Sequence, residues 1–170
     1  MNPESPPSQG PRDDIRIREA TVQDLAVVIH HRRAMFEEMR YGNGAELDAM
    51  QEASEQFFGA ALADGSYRGW FAESPDGRII AGSGVGINPW PPRPYAPNPY
   101  RATIFNVYTE PEFRHRGIAR SLMLVMIEWC RKAGFSQVNL HASEFGRSLY
   151  TTLGFVPTNE MRLSLITPPK

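Results

Sequence analysis

Apolar residues recur along this chain with two periods, and each change of period marks the edge of an element. The run Ile15-Arg16-Ile17-Arg18 alternates and predicts a short strand. Thr21 follows as a helix cap, and Asp24 three residues on completes something close to a capping box. Leu25, Val28, Ile29, Arg32, Met35, Phe36 and Met39 then fall at helical spacing until Gly42 and Gly44 stop the helix. A second helix is predicted over 47–63, with Leu47, Met50, Ser54, Phe57, Phe58, Ala61 and Leu62 as its buried stripe and Asp64-Gly65 as its end. Strands over 68–73 and 78–86 flank Ser74-Pro75-Asp76-Gly77, a turn sequence that predicts an antiparallel hairpin. A β-branched and aromatic strand over 104–109 breaks at Glu110-Pro111, and after a short polar loop an amphipathic helix runs to Arg131. Past Gly134 come a strand over 136–142, a short helix over 145–153 closed by Gly154, and a last alternating strand over 162–166. The order β-α-α-β-β-β-α-β-α-β predicts an α/β domain with a mixed sheet.

Two segments lack either period. Residues 1–13 hold four prolines among polar residues, so a disordered tail is expected ahead of a single domain over 14–170. Residues 89–100, PWPPRPYAPNPY, hold six of the fifteen prolines, with Trp90, Tyr95 and Tyr100 among them. Such a run is expected as an extended polyproline-like loop, either a stiff cover over a sheet edge or an aromatic wall for a substrate.

Composition narrows the function. A length of 170 residues suits one domain with a sizeable core, and 41% hydrophobic with 22% charged residues is ordinary for a globular chain. A net charge of −1 argues against a nucleic-acid partner, so local arginine clusters read as sites. No apolar run approaches the ~18–20 residues of a membrane span. The N-terminus is polar, so no membrane partner and a cytoplasmic location are expected. The single cysteine, Cys130, excludes an intramolecular disulfide and a multi-cysteine metal site, and reads as a small buried hydrophobe.

The candidate chemistry lies between Ile104 and Arg131. A strand, a basic turn with a glycine and a helix N-terminus together can hold a phosphorylated ligand, because the first helical turn has unpaired N–H groups and the positive end of the macrodipole. Gly117 lets backbone approach the ligand closely, and Arg114, His115, Arg116 and Arg120 surround the same turn. The Gly-Lys-Ser/Thr of a Walker A loop and the G-x-G-x-x-G of a dinucleotide site are both absent. His30-His31-Arg32-Arg33 is read as a solvated helix face, since consecutive helical residues point in different directions.

Arg114-His115-Arg116-Gly117-Ile118-Ala119 resembles the Q/R-x-x-G-x-G/A pyrophosphate loop of the GNAT superfamily of N-acetyltransferases. Leu149-Tyr150-Thr151-Thr152-Leu153-Gly154-Phe155 is similar to that superfamily's LYxxxGF element, and it stands one helix and one strand further on. The resemblance covers roughly residues 15–166 and implies a GNAT fold, a mixed and mostly antiparallel sheet flanked by helices. It implies that Val107, Tyr108 and Thr109 offer strand-edge groups to the pantetheine arm of acetyl-CoA. His115, Arg116, Gly117, Ile118, Ala119 and Arg120 would hold the pyrophosphate, mostly by backbone N–H, with Arg side chains such as Arg114 reaching its oxygens. Tyr150 would protonate the leaving thiolate, and an N–H near Tyr108 would polarise the thioester carbonyl.

Two positions depart from the family. Ser143 stands where an asparagine often contacts pantetheine, and is retained as a shorter cofactor contact. Val138 stands where some members carry a glutamate base, and valine cannot serve. Glu73, His141, His31 and Glu38 are the alternatives; among them His141 is favoured for its place late on the strand, while a histidine that only satisfies local backbone is the reading set ahead of any base role for it. The implied function is direct transfer of acetyl from acetyl-CoA to a primary amine on a small molecule or peptide, with no metal. No cysteine falls in the site, so no cysteine-linked acetyl-enzyme is expected. The rival is a non-catalytic acyl-CoA sensor or interaction domain on the same fold, and a homodimer is left open.

Overall fold

The computed structural model describes residues 15–165. The expected tail over 1–13 and the final residue of the expected last strand, Ile166, lie outside these residues. Strands β1 (Arg16–Glu19), β2 (Tyr67–Glu73), β3 (Ile79–Pro89) and β4 (Tyr100–Thr109) pair antiparallel in sequence order. Then β5 (Val138–Leu140) joins β4 in parallel. A parallel neighbour needs a crossover, and α3 (Ile118–Lys132) supplies it. Helices α1 (Leu25–Glu38) and α2 (Gly44–Asp64) cover the opposite face, and α4 (Arg147–Thr152) follows β5.

The sheet therefore has a core on each face. On one, Ile80, Val85 and Ile104 meet Leu122, Met123, Met126 and Cys130 of α3, with Tyr150 at the margin. On the other, Val28, Ile29, Phe58 and Ala61 meet Tyr67 and Phe71. Burial on both sides explains why β2 and the first half of β3 read as continuous buried runs and not as alternation. Cys130 is fully buried, as expected of a small hydrophobe, and burial lifts its thiol to about 11.

Capping sets the helix starts. Thr21 N–H donates to Asp24 Oδ2 at 2.7 Å, opening a single 3-10 turn (Val22–Asp24) before α1. Arg18 forks onto Asp24, and that pair holds the carboxyl down at about 2. Gly44, expected as part of the stop of the first helix, is instead the first residue of α2. Asn43 and Glu46 exchange reciprocal caps there at 3.2 and 2.7 Å. The His30–Arg33 run is not a solvated face. His31 is 2% exposed and Arg32 turns inward, because α1 packs on both the sheet and α2; His30 alone of the four is exposed.

Residues 89–100 continue the β3–β4 hairpin. The ladder extends to Pro89 opposite Tyr100, Trp90 N–H donates to the Pro99 carbonyl at 2.9 Å, and Arg93 and Ala96 exchange backbone bonds at the tip. Alternate carbonyls still accept where prolines cannot donate, so a proline-rich run can end a hairpin although it cannot enter a sheet interior. Residues 162–165 form no strand: residues 155–160 stand away from β5 across an open groove, so none of the described residues pairs with its outer edge. No helix among the described residues is long and apolar enough to cross a membrane.

The glycines of β3 make room for rings. A Cβ on Gly84 would lie 2.2 Å from the Tyr67 phenol, so the Tyr67 ring rests directly on bare backbone. Gly84→Ala must expel that ring, and overpacking of this kind costs about 1–3 kcal/mol. Urea unfolding should show the loss, whereas Gly77→Ala, which meets no neighbouring atom, should cost less through its positive φ alone.

Candidate active site

The site is built where β4 loses its second neighbour. Ala102, Thr103 and Ile104 pair with Val138, Asn139 and Leu140, and beyond Ile104 only β3 remains bonded to β4. The outer edge of this stretch has no strand beside it and can receive an extended chain of hydrogen-bonding groups, although the Thr109 carbonyl already accepts from Arg114 at 2.8 Å. In the same stretch Gly82 pairs with Tyr108 and Gly84 with Phe105, so Asn106 and Val107 together oppose Ser83. This bulge puts Asn106 at φ 55° and takes a peptide out of the ladder.

Asn106 is held from the α1 face. Arg32 Nη1 donates to its Oδ1 at 2.9 Å, and its Nδ2 donates to the Tyr67 hydroxyl at 3.3 Å. Arg32 also donates to Ser54 Oγ at 3.1 Å and lies over the Phe36 and Phe58 rings. Asn106 and Arg32 were not singled out from the sequence as site residues. The signal was an asparagine inside a β-branched and aromatic strand, where asparagine is depleted unless the backbone turns left-handed.

After Thr109 the chain makes a single 3-10 turn (Pro111–Phe113) and enters the basic loop. His115 has φ 61° and Gly117 φ 79°, so two left-handed residues bracket Arg116 and curl the backbone into a concave turn. Gly117 is itself the cap of α3. A glycine offers no side-chain acceptor, so the first-turn N–H groups of Ile118, Ala119 and Arg120 keep their capacity for a ligand. A Cβ at Gly117 would meet no atom within 4 Å, which leaves open space in front of that helix start. The backbone fits an anionic diphosphate.

The arginines of the loop are engaged elsewhere in this structure. Arg114 donates from Nη2 to both Glu38 oxygens at 2.6 and 2.8 Å and from Nε to the Thr109 carbonyl at 2.8 Å. It therefore ties the end of α1 to the loop, and the Glu38 carboxylate raises its guanidinium further above the ordinary value. Arg116 donates to the Glu112 carbonyl at 3.0 Å and stacks on Phe113. Arg120 is exposed on the first turn of α3.

Tyr150 is almost fully buried on α4, and its hydroxyl has no hydrogen-bond partner among the described residues. Burial raises its phenol above the usual value, so the hydroxyl stays protonated at neutral pH. Its ring sits against Gly146, where a Cβ would come within 2.6 Å. Ser143 caps the turn before α4, its Oγ accepting from Gly146 N–H at 3.2 Å, so here it positions the tyrosine's helix. His141 is exposed just past β5, its Nδ1 3.5 Å from Arg162, and shares a groove wall with Tyr150.

The alternative bases separate. Glu73 lies on β2, two strands from β4, and receives Arg18 at 2.5 Å. Glu38 stands at the loop, 3.5 Å from the Tyr108 hydroxyl. His31 packs on Tyr108 with ring centroids 5.0 Å apart, and its Nδ1 is buried without a partner. Among the described residues no group of histidine, cysteine or acidic side chains could hold a metal.

The sequence matches the Acetyltransferase (GNAT) family over residues 28–155. A GCN5-related N-acetyltransferase from Ralstonia eutropha JMP134 is 37% identical, with a TM-score of 0.82 over 89% of this chain and 98% of that one. A predicted acetyltransferase from Clostridium acetobutylicum, solved with acetyl-CoA, is 24% identical with a TM-score of 0.81, covering 89% and 96%. The glucosamine-6-phosphate N-acetyltransferase of Arabidopsis thaliana shares the fold at 16% identity, with a TM-score of 0.65 over 91% and 100%. No curated protein matches the sequence. The fold, the open β4 edge and the glycine-capped helix therefore belong to a GNAT acetyltransferase. The chain is a member of that family.

His31 gives a stability test. Burial, then the charge of His30, lowers its imidazole from 6.5 to about 4, so it is neutral in the folded state. Between those values the unfolded chain binds a proton that the folded chain refuses. The His31 contribution should cost stability as pH drops from 6.5 to about 4, by roughly 3 kcal/mol in all, and below that the loss of the Arg18–Asp24 pair takes over. Denaturant titrations should show that slope in the native chain and its loss in His31→Phe.

Proposed function

We propose that the protein is an acetyl-CoA-dependent N-acetyltransferase that transfers acetyl directly to a primary amine. The observation that carries this reading is a β4 edge with no strand beside it, followed in the chain by a glycine-capped α3 start. The arm adds to Val107, Tyr108 and Thr109 as a short extra strand, and the diphosphate lies on the N–H groups from His115 to Arg120. Arg120 is placed to join it, and Arg114 can do so by leaving Glu38.

The chemistry then falls at the bulge. The amine attacks the thioester carbonyl, and a backbone N–H freed near Tyr108 stabilises the oxygen as charge builds there. Collapse of the tetrahedral adduct breaks the carbon–sulfur bond. Tyr150 gives its proton to the departing thiolate, whose conjugate acid has a pKa of roughly 8.5 and needs only modest assistance. The amine's proton leaves through His141 or water, since Val138 offers no base. Ser143 acts by holding the turn that aims Tyr150. The acceptor approaches from the α1–α2 side, where Met35 and Glu38 suit a partly apolar amine.

Gly117→Glu places a carboxylate in front of the helix start and should abolish acetyl-CoA binding by calorimetry; unchanged binding would remove the donor site. Tyr150→Phe should lower kcat by about 10²–10³-fold with little change in acetyl-CoA affinity, within the span usual for a general acid. Full turnover by that variant, in an amine screen with thiol detection, would remove the acid role. An intact acetyl-CoA site with no turnover of any amine would favour the sensor reading.

A further inference from the structure

Arg32 is a half-buried cation with no acid beside it: among the described residues, no carboxylate comes within 4.0 Å of its guanidinium. The group lies in the seam between α1, α2 and the β4 bulge, 4.9 Å from the Phe36 ring centre and 5.4 Å from that of Phe58. Nε donates to Ser54 Oγ at 3.1 Å and Nη1 to Asn106 Oδ1 at 2.9 Å, both neutral oxygens. Nη2 donates to nothing among the described residues, yet it is not sealed from solvent. Burial holds the guanidinium below its ordinary value, whereas carboxylates raise those of Arg18, Arg33 and Arg114. Nearby acids are engaged elsewhere, Glu37 and Asp48 by Arg33 at 2.8 and 2.7 Å and Glu38 by Arg114 at 2.6 Å.

A cation partly withdrawn from water is costly to keep unless an anion faces it. Fixing Asn106 by a hydrogen bond would not require a charge. An anion that arrives with a ligand accounts for it, and the free donors of Nη2 suit a carboxylate. In the reaction proposed above the thioester carbonyl lies at the bulge, and one hydrogen bond joins Arg32 to the bulge residue. A carboxylate on Arg32 is thus close to the point of attack, which calls for an acceptor whose carboxylate and amine are near neighbours. Around the seam, half-buried Phe36 stacks on the exposed Tyr41 at 5.8 Å and half-buried Met50 meets Ser54 at 3.3 Å, so the rest of the acceptor meets apolar surface.

We propose that the acceptor is a free amino acid with an apolar side chain, its carboxylate paired with Arg32 and its amine turned to the bulge. The proposal rests on the transferase reading above. The new bond joins the amine nitrogen to the acetyl carbon, the carbon–sulfur bond breaks, the thiolate takes a proton and the amine gives one up. The products are an N-acetyl amino acid and the free thiol. A polyamine is disfavoured, because it would bring a second cation against Arg32.

The test compares leucine and phenylalanine, each with its carboxamide and its decarboxylated amine. Thiol release from acetyl-CoA and calorimetry on the CoA-loaded protein are the two readouts. The native chain should favour the amino acid over both analogues by about 10–10²-fold in kcat/KM, the span of a hydrogen bond to a charged group. Arg32→Gln should bring that ratio close to one, whatever it does to overall turnover, and Arg32→Lys, which keeps the charge, should retain part of it. Turnover with no preference for the carboxylate overturns the proposal and leaves the transferase reading standing. A ratio unchanged in Arg32→Gln also overturns it, since another group would then hold the carboxylate. Carboxylate-dependent binding without turnover of any amine keeps the Arg32 site and overturns the transferase reading instead. Neither binding nor turnover overturns both.

Discussion

Beyond Ile104, strand β4 is bonded on one side only, and the candidate site is arranged around that asymmetry. A strand paired on both sides has no main-chain capacity left for a ligand; one paired on neither side would not hold its shape. With β3 fixing one edge, the other stays in strand geometry with no strand beside it, and only the Thr109 carbonyl is taken, by Arg114. The bulge at Asn106–Val107 lies in this half-bonded stretch, where breaking the ladder costs least. The helix start at Gly117 lies just beyond its end.

The α1 face keeps the bulge in place. Asn106 takes a left-handed conformation that a branched residue could not hold, and both ends of its amide are bonded to side chains anchored in the second core. Arg32 is part-buried between two phenyl rings, with neutral oxygens as its acceptors. A network of this kind adds little net stability but penalises any other arrangement of the same groups, which is how a polar cluster fixes one geometry. Glu38 and Arg114 extend the linkage, so the end of α1 and the basic loop are joined by an ion pair in which one guanidinium nitrogen reaches both carboxylate oxygens.

Much of this was legible in the residues. Periodicity located every α-helix and the first five strands to within a few residues, and the loop and the Leu149–Phe155 element pointed to the family that the comparisons show. What was missed depends on long-range packing. The inward turn of His31 and Arg32 follows from α1 being pressed between sheet and α2, which no local pattern records. Residues 89–100 looked incapable of pairing because proline lacks a donor, yet Trp90 and Ala96 retain theirs and suffice to close a hairpin. Residues 162–165 carry a strand's alternation without a strand, since a period states which face is apolar and not what will meet it.

Gly117 has a consequence for anyone wishing to make this protein sturdier. Capping a bare helix start with aspartate or asparagine is among the simplest stabilising changes available, commonly yielding about 0.5–2 kcal/mol. At this position the gain would be self-defeating twice over. The new side chain would have to adopt φ 79°, and its oxygen would occupy the N–H groups that the proposed diphosphate would use. The unfinished helix end is thus a place where the empty protein is left less stable than its sequence could make it, and where a bound diphosphate should raise the melting temperature more than contact area alone would suggest.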